Sequence, residues 1–396
     1  MRYTKWAALA LVFVLIAAAC GDDEEPTTTT PPATTAAPTT AAPAELSDGI
    51  DGEIVKVRVA EGVSYDDEPW IWVDEFGIDT DLGIDIEIIK FTDFPLQGLI
   101  GGDFDMMFSC QVCVASSWAN FPEYRDFMIT NQFKGFILVG RPGMKTWYDF
   151  LDELGDEDAA TEAFIKSIEG MTLPVWDAGD IALVEAMMNQ GGLTADDLDR
   201  VGFPDLPKAG LAFMAGEGDI YFGTLSQVAR MVYDPETAKD FVVAAPFNAF
   251  GPGGLWFSTM GTTQTFLDAH PEAALRSVAA FYRAVRYLHE KPDVVIPLVD
   301  DNVAIATGGT LGTTTTHEIM TSLNYFPTAE DAKREFFTSG SPLDNEKSIG
   351  FLFDRGVAAG EYSADDDWRT FQVSGEWLDM LLAREDLMEY VNSPLD

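Results

Sequence analysis

Basic residues are few: 24 lysines and arginines stand against 66 aspartates and glutamates, for a formal net charge of −42. A chain this acidic repels phosphate backbones and anionic lipid headgroups, which excludes nucleic acid as a partner and excludes electrostatic adhesion to membranes. The acidic residues are spread along the chain, so they act first as a solubilising surface. Cysteine and histidine are scarcer still, with three of each. His270 lies beside a helix start, His289 near a helix end and His317 just after a threonine run. These are positions of surface or capping residues, not of a shared catalytic base. The sequence lacks the Gly-x-x-x-x-Gly-Lys phosphate loop, the His-Glu-x-x-His zinc helix and the Gly-x-Ser-x-Gly nucleophile elbow. Past residue 19 no apolar run is long enough to span a bilayer. These absences point to a protein that is not an enzyme and that needs neither a cofactor nor a resident metal.

What is present begins with the amino terminus. Arg2 and Lys5 flank the start of an apolar run over residues 6–19, and Ala17, Ala18 and Ala19 lead into Cys20. A basic start, a short apolar core and small residues before the cleavage point predict a lipoprotein signal over residues 1–20. Cleavage would leave Cys20 first in the chain, its thiol carrying a diacylglyceryl group. Two fatty chains of the palmitate kind anchor stably, whereas one binds only marginally. An ordinary secretory signal with an incidental Cys20 is the plainer alternative. Residues 21–52 are Thr, Pro, Ala and acidic residues with little to bury, and they predict a disordered tether. A flexible coil of that length would reach roughly 30 Å. The expected location is the outer face of the cytoplasmic membrane, lipid-anchored, for a monomer.

From residue 53 the composition is globular and long enough for two ordinary cores. Val55, Val57 and Val59 alternate as a strand, a loop covers residues 61–68 and a helix covers 69–78. A second strand carries Ile84, Ile86 and Ile88, followed by a short helix over 96–100 and a strand over 104–108. The same order returns as a strand over 171–175, a helix over 180–190, a strand over 200–203, a helix over 206–215 and a strand over 219–222. Repeated β-α-β units predict a mostly parallel α/β sheet in each half. The halves echo each other most closely where Gly101-Gly102-Asp103-Phe104-Asp105 and Gly216-Glu217-Gly218-Asp219 end a helix at glycine and open a buried strand with aspartate. Residues 136–141 and the stretch from 242 to 256 read as two crossings that join the halves as a hinge. Over residues 271–290, Leu275, Val278, Tyr282, Val285 and Leu288 share one helix face, a core stripe. Residues 368–390 predict one or two further helices on the first half.

Taken in order, these motifs resemble the periplasmic binding-protein family that serves nitrate, sulfonates, taurine and thiamine-pyrimidine precursors. The resemblance runs from about Ile54 to about Glu335. It is carried by the Leu-x-x-Gly-x-x-Asp-like phrases at Leu99 and Leu211, by Gly170-Met171-Thr172-Leu173-Pro174-Val175 leading to Asp177-Ala178-Gly179-Asp180, and by Gly191-Gly192-Leu193. The acidic insertion over 147–166 and the tail after Pro342 depart from it. The resemblance implies a two-lobed, type II periplasmic-binding-protein-like fold with a two-segment hinge. Lobe 1 would hold residues 53–140 and 246–396, the latter with the C-terminal helices, and lobe 2 residues 141–245. It implies the solute-binding part of an ABC importer, with a small-molecule ligand, a membrane permease and its ATPase subunit as partners. An exported enzyme on the same scaffold and a surface sensor lipoprotein are the competing readings.

In a two-lobed α/β protein the ligand belongs at the carboxyl ends of the strands. The residues expected there are Glu61, Ser64, Tyr65, Thr92, Ser109, Cys110 and Gln111 from the first lobe. From the second come Trp176, Asp177, Gly179, Asp180 and Thr224, with Trp256 on the return crossing. No lysine or arginine is expected among these loops, and Glu61, Asp177 and Asp180 add negative charge. That disfavours an anion and favours a neutral or cationic small organic molecule, of the pyrimidine type, stacked on Tyr65, Trp176 or Trp256. Cys110 and Cys113 form a C-x-x-C at the strand end. In an oxidising compartment a disulfide is the first expectation, with two free thiols, or a metal or redox role, left open.

Overall fold

The computed structural model describes residues 54–395 except 63, 64, 66, 67, 91–95, 116, 117, 136, 177–180, 205, 224, 235, 247, 248, 251–253 and 308. The signal segment, Cys20 and the tether lie outside the described residues. Eleven strands are described: β1 (Val55–Glu61), β2 (Ile84–Lys90), β3 (Met106–Cys110), β4 (Tyr124–Phe133), β5 (Ile137–Gly140), β6 (Thr172–Trp176), β7 (Asp199–Phe203), β8 (Ile220–Gly223), β9 (Val242–Pro246), β10 (Trp256–Thr263) and β11 (Asn324–Tyr325). A six-stranded sheet runs β11-β4-β10-β3-β1-β2, a three-stranded sheet runs β8-β5-β9, and β6 pairs with β7. Every strand between residues 137 and 246 belongs to the two smaller sheets, and every other strand to the large one. The large sheet is mixed, β8-β5-β9 is antiparallel and β6 and β7 are parallel, so the sheets are not mostly parallel. β1 pairs in parallel with β2 and β3, while β10 is antiparallel to β3 and β4, and β5 is antiparallel to β8 and β9.

The two halves share more than their order of elements. The Asp105 backbone N–H donates to the Arg58 carbonyl at 2.9 Å, and Asp105 Oδ2 accepts from the Arg58 backbone N–H at 2.9 Å. In the second half the Asp219 N–H donates to the Thr172 carbonyl at 2.8 Å, and Asp219 Oδ2 accepts from the Thr172 N–H at 2.9 Å. Each aspartate brackets one residue of the first strand of its half and sets the third strand beside it. With that bracket the second half reads β7-β6-β8-β5-β9, matching β2-β1-β3-β10-β4 of the first. In each series the fourth strand is the one that has just arrived from the other half. The preceding helices also close alike. Gly102 (φ 80°) and Gly216 (φ 106°) take positive φ, and the next residue's N–H reaches back five residues, from Asp103 to Gly98 and from Glu217 to Ala212. Only glycine adopts that backbone at little cost.

Several boundaries differ from the sequence expectation. The first helix is broken: Glu68–Trp70 is a 3-10 turn, Ile71–Glu75 is α-helical, and Gly77 at φ 65° separates it from Ile78–Asp81. β3 starts at Met106, because Asp105 is spent on the bracket, and so ends at Cys110. β5 pairs on both edges within the smaller sheet, so the first crossing precedes Ile137 and falls ahead of the division expected at residue 140. The return stretch from Val242 is likewise a strand of that sheet, and the crossing itself follows Pro246. Helix Pro271–Glu290 spans the expected residues, with Leu275, Val278, Tyr282, Val285 and Leu288 all buried. Its Arg283, 5 % exposed, donates to the carbonyls of Tyr390 at 2.7 Å and Pro394 at 3.1 Å, which closes the end of helix Glu385–Asn392. Cations favour a helix carboxyl end, where carbonyls lack intrahelical donors.

The bracket can be tested directly. Asp105 also holds Arg58 through Oδ1 at 2.7 Å, so Asp105→Ala removes one backbone acceptor and a charge-assisted pair together. The expected loss is about 1–3 kcal/mol in urea unfolding, with Asp105→Asn recovering part of it through its remaining oxygen. Equal stability of the alanine variant and the parent would remove the bracket's role.

Candidate functional site

Strand direction decides which edge of the large sheet gathers functional groups. β1, β2 and β3 are parallel and β4 runs with them, so Glu61, Lys90, Cys110 and Phe133 end on one edge. β10 and β11 run the other way and begin there, at Trp256 and Asn324. The chain leaves this edge at Phe133 and enters β5 at Ile137, a span of at most about 14 Å. β8 and β9 end beside the start of β5, at Gly223 and Pro246. The carboxyl ends of the parallel strands in both halves therefore meet where the chain crosses, as expected of a two-lobed α/β cleft.

One strand in from β2, Glu61 ends β1 on this edge. It is 1 % exposed, and Lys90 Nζ donates to its Oε2 at 2.5 Å, as the in-register pairing Glu61 to Lys90 requires. Oε1 is buried with no hydrogen-bond partner among the described residues. Burial pushes the carboxyl above its ordinary value and outweighs the attraction of the Lys90 ammonium. Gln111, 0 % exposed, opens the short helix Gln111–Ala115, and neither its Oε1 nor its Nε2 meets a partner among the described residues. A buried polar atom without a partner is costly, and these three atoms are left so at the carboxyl end of β1 and the start of the helix after β3. The same edge carries a partly satisfied network, in which Asn324 Nδ2 and Gln132 Oε1 have no partner among the described residues. Thr130 Oγ1 donates to Asn131 Oδ1 at 2.9 Å, and Asn131 Nδ2 donates to Asn324 Oδ1 at 3.0 Å.

The sequence-predicted residues divide into three groups. Glu61, Ser109, Cys110 and Gln111 lie at this edge, but Glu61, Ser109 and Cys110 are the last residues of their strands, not of the loops that follow. Tyr65 and Trp256 are 0 % and 5 % exposed and belong to the main hydrophobic core, so neither turns an open ring face outward. Ser64, Thr92, Asp177, Gly179, Asp180 and Thr224 lie outside the described residues, and Trp176 is described only as the last residue of β6. Two cations stand where none was expected. Lys90 is bound to Glu61, and Lys134, in the first crossing, lies 5.9 Å from the Tyr325 ring centroid. The premise that no basic residue borders the site is therefore corrected. Lys90 was legible: parallel pairing of two alternating strands sets the residue after Ile88-Ile89 opposite Glu61.

A second fully buried carboxylate lies away from this edge, near the start of β4. Asp126 Oδ1 accepts from Tyr124 Oη at 2.5 Å and from Thr259 Oγ1 at 2.8 Å, while Oδ2 has no partner among the described residues. Burial pushes its pKa up to about 7. Its backbone joins the C-terminal segment, donating to the Phe371 carbonyl and accepting from the Val373 N–H.

No family model matches this sequence, and no curated protein does. Solved structures do match. The aliphatic sulphonate binding protein SsuA of Escherichia coli superposes with a TM-score of 0.56 at 11 % identity, over 80 % of this chain and 91 % of that one. The nitrate-binding protein NrtA of Synechocystis PCC 6803 gives 0.52 at 11 %, over 86 % and 88 %. The ligand binding component of an ABC-type import system from Staphylococcus aureus, solved with zinc bound, gives 0.54 at 10 %, over 82 % and 98 %. The chain has the α/β, two-lobed fold of the periplasmic binding proteins.

Asp126 sets a pH dependence whose sign is fixed. A carboxyl whose folded pKa lies above its unfolded one binds its proton more tightly when folded. Its contribution is complete below about pH 4 and is lost as pH rises through about 7. Asp126→Asn removes this titration, so urea midpoints of the variant should gain on those of the parent from about pH 4 to about pH 8. Parallel midpoint curves would show that Asp126 does not titrate in that range.

Proposed function

We propose that the chain is the solute-binding component of an ABC importer, which holds a small organic molecule between its lobes and presents it to a membrane permease served by an ATPase. The supporting observation is the edge built around Glu61. Carboxyl ends of strands from both halves converge beside two crossings, and there a buried carboxylate oxygen and a buried carboxamide are left without protein partners. Bending between the halves would open and close the lobes around the ligand. Binding would shift that equilibrium by its preference for the closed form. The solved structures above are named as binding proteins and as part of an import system, which favours capture over catalysis.

The ligand class follows from the chemistry of the edge. Glu61 Oε1 accepts and does not donate when ionised, and Lys90 offsets the charge of its own partner. Gln111 offers one acceptor and one donor group. A neutral or cationic molecule with an N–H edge, such as an aminopyrimidine, meets all three atoms, whereas a sulfonate or nitrate offers no donor to Glu61. Residues 1–20 would serve as a lipoprotein signal, and Cys20 would carry the anchor on the outer face of the cytoplasmic membrane, with residues 21–52 as tether. An enzyme on this scaffold, or a sensor without a transporter, are the competing readings. Turnover of a released ligand by the purified protein would support the first.

Native mass spectrometry of the purified protein should release such a molecule on denaturation. Added back at a hundred times its Kd, the molecule should stabilise the fold by about 2.7 kcal/mol in a thermal-shift assay. Glu61→Gln and Gln111→Ala should each weaken its binding by about tenfold or more, an effect of a lost hydrogen bond in a buried site. Release of a sulfonate, or unchanged affinity in both variants, would overturn the proposed ligand class.

A further inference from the structure

Cys110 and Cys113 are joined in a disulfide across a sequence separation of 3, with Cα atoms 5.1 Å apart. A bridge this local restrains the unfolded chain less than one that closes a long loop, so global stability is a poor account of it. The two sulfurs sit in unequal surroundings. Cys110 is the last residue of β3, 2 % exposed, in the main core and opposite Ser258 of β10. Cys113 is exposed, in the first turn of helix Gln111–Ala115. The Cys113 backbone N–H donates to Cys110 Sγ at 2.9 Å. One sulfur is thus open to attack, and the other is already provided with a donor that favours negative charge on it.

We propose that the Cys110–Cys113 pair is a thiol–disulfide exchange site that accepts two electrons from a dithiol, with Cys113 as the attacked sulfur and Cys110 as the leaving one. The dithiol's first thiolate attacks Cys113 Sγ. A mixed disulfide forms there, the Cys110–Cys113 bond breaks, and its electron pair goes to Cys110 Sγ, where the Cys113 N–H stabilises the thiolate. The dithiol's second thiolate then attacks its own sulfur in the mixed disulfide and releases Cys113 as thiolate. Both cysteines take up the protons the dithiol has lost, so the dithiol ends as a disulfide and the protein as two thiols. Exchange rates follow the accessibility of the attacked sulfur and the stability of the departing thiolate, and both favour this direction of attack. Gln111 lies between the two cysteines, so opening the bridge releases a backbone restraint on that buried carboxamide. The exchange chemistry stands on the cysteine geometry alone and does not depend on which solute the lobes hold.

The test uses the whole protein under native conditions. It is equilibrated in mixtures of reduced and oxidised dithiothreitol, quenched with iodoacetamide and mapped by peptide mass, which keeps Cys20 separate, while circular dichroism follows the fold. Both Cys110 and Cys113 should become alkylated with the spectrum unchanged. In single variants under reducing conditions, Cys113 in Cys110→Ser should alkylate on the order of ten times faster than Cys110 in Cys113→Ser. A bridge that yields only in denaturant, or a Cys110 thiol as reactive as Cys113, would overturn the proposal. The unmutated protein carries the first result whether or not either variant folds.

Discussion

Two aspartates determine how this molecule is assembled. Asp105 and Asp219 each donate a backbone N–H to, and accept one from, a single residue of an earlier strand, Arg58 and Thr172. A side chain that closes such a bracket fixes register, and in a sheet a slip of one residue turns every side chain to the opposite face. In the first half, register carries Val57 and Val59 into the main core and leaves Glu61, two residues on, at the carboxyl edge on the same face. β2 follows in step and delivers Lys90 to Glu61. The charge pair at the edge is a consequence of that β1–β2 register. The second half repeats the device, and its β8 consequently ends beside the point where the chain crosses.

Much of this was legible from residue order, and the failures have physical reasons. The two glycine-then-aspartate phrases were visible as an echo, and their shared hydrogen bonding explains why the echo exists. β4 was not read at all: its polar Asp126, Asn131 and Gln132 break the apolar alternation, yet all three are buried, Asp126 bonded to Thr259 of β10 and Asn131 to Asn324 of β11. The crossings were placed a few residues off because an apolar run states that it is buried without stating in which sheet. That choice rests on non-local pairing with β8 and β9. Helix Asn345–Ala359 was missed for a local reason, since Gly350 and Gly356 lower its propensity and tertiary packing restores it. At the site, Glu61 and Gln111 were named from the carboxyl-end rule alone. Tyr65 and Trp256 were named by the same rule, and their burial shows that the rule finds positions, not exposures.

The few basic residues show where the acidic chain spends its positive charge. Arg283 and Arg286 hold the carbonyls of Tyr390 and Ser393, Lys291 that of Leu395, Arg276 that of Leu82, and Arg141 that of Phe213. These acceptors are uncharged ends of helices and turns, where main-chain oxygens lack intrahelical donors. A chain with 66 acidic residues and 24 basic ones could have scattered its cations over surface pairs, and several such pairs exist, but exposed pairs contribute little. A cation held among part-buried carbonyls contributes more, because hydrogen bonds to a charged donor are stronger than neutral ones and offset part of its desolvation. The tail that departs from the family pattern is therefore fastened by short-range hydrogen bonding that salt screens only weakly. Lys90 differs from these cations. It is bound to a carboxylate whose second oxygen is unmatched. In a molecule that uses many of its cations to complete the hydrogen bonding of main-chain ends, the edge around Glu61 keeps a cation on a carboxylate that still has bonding to offer.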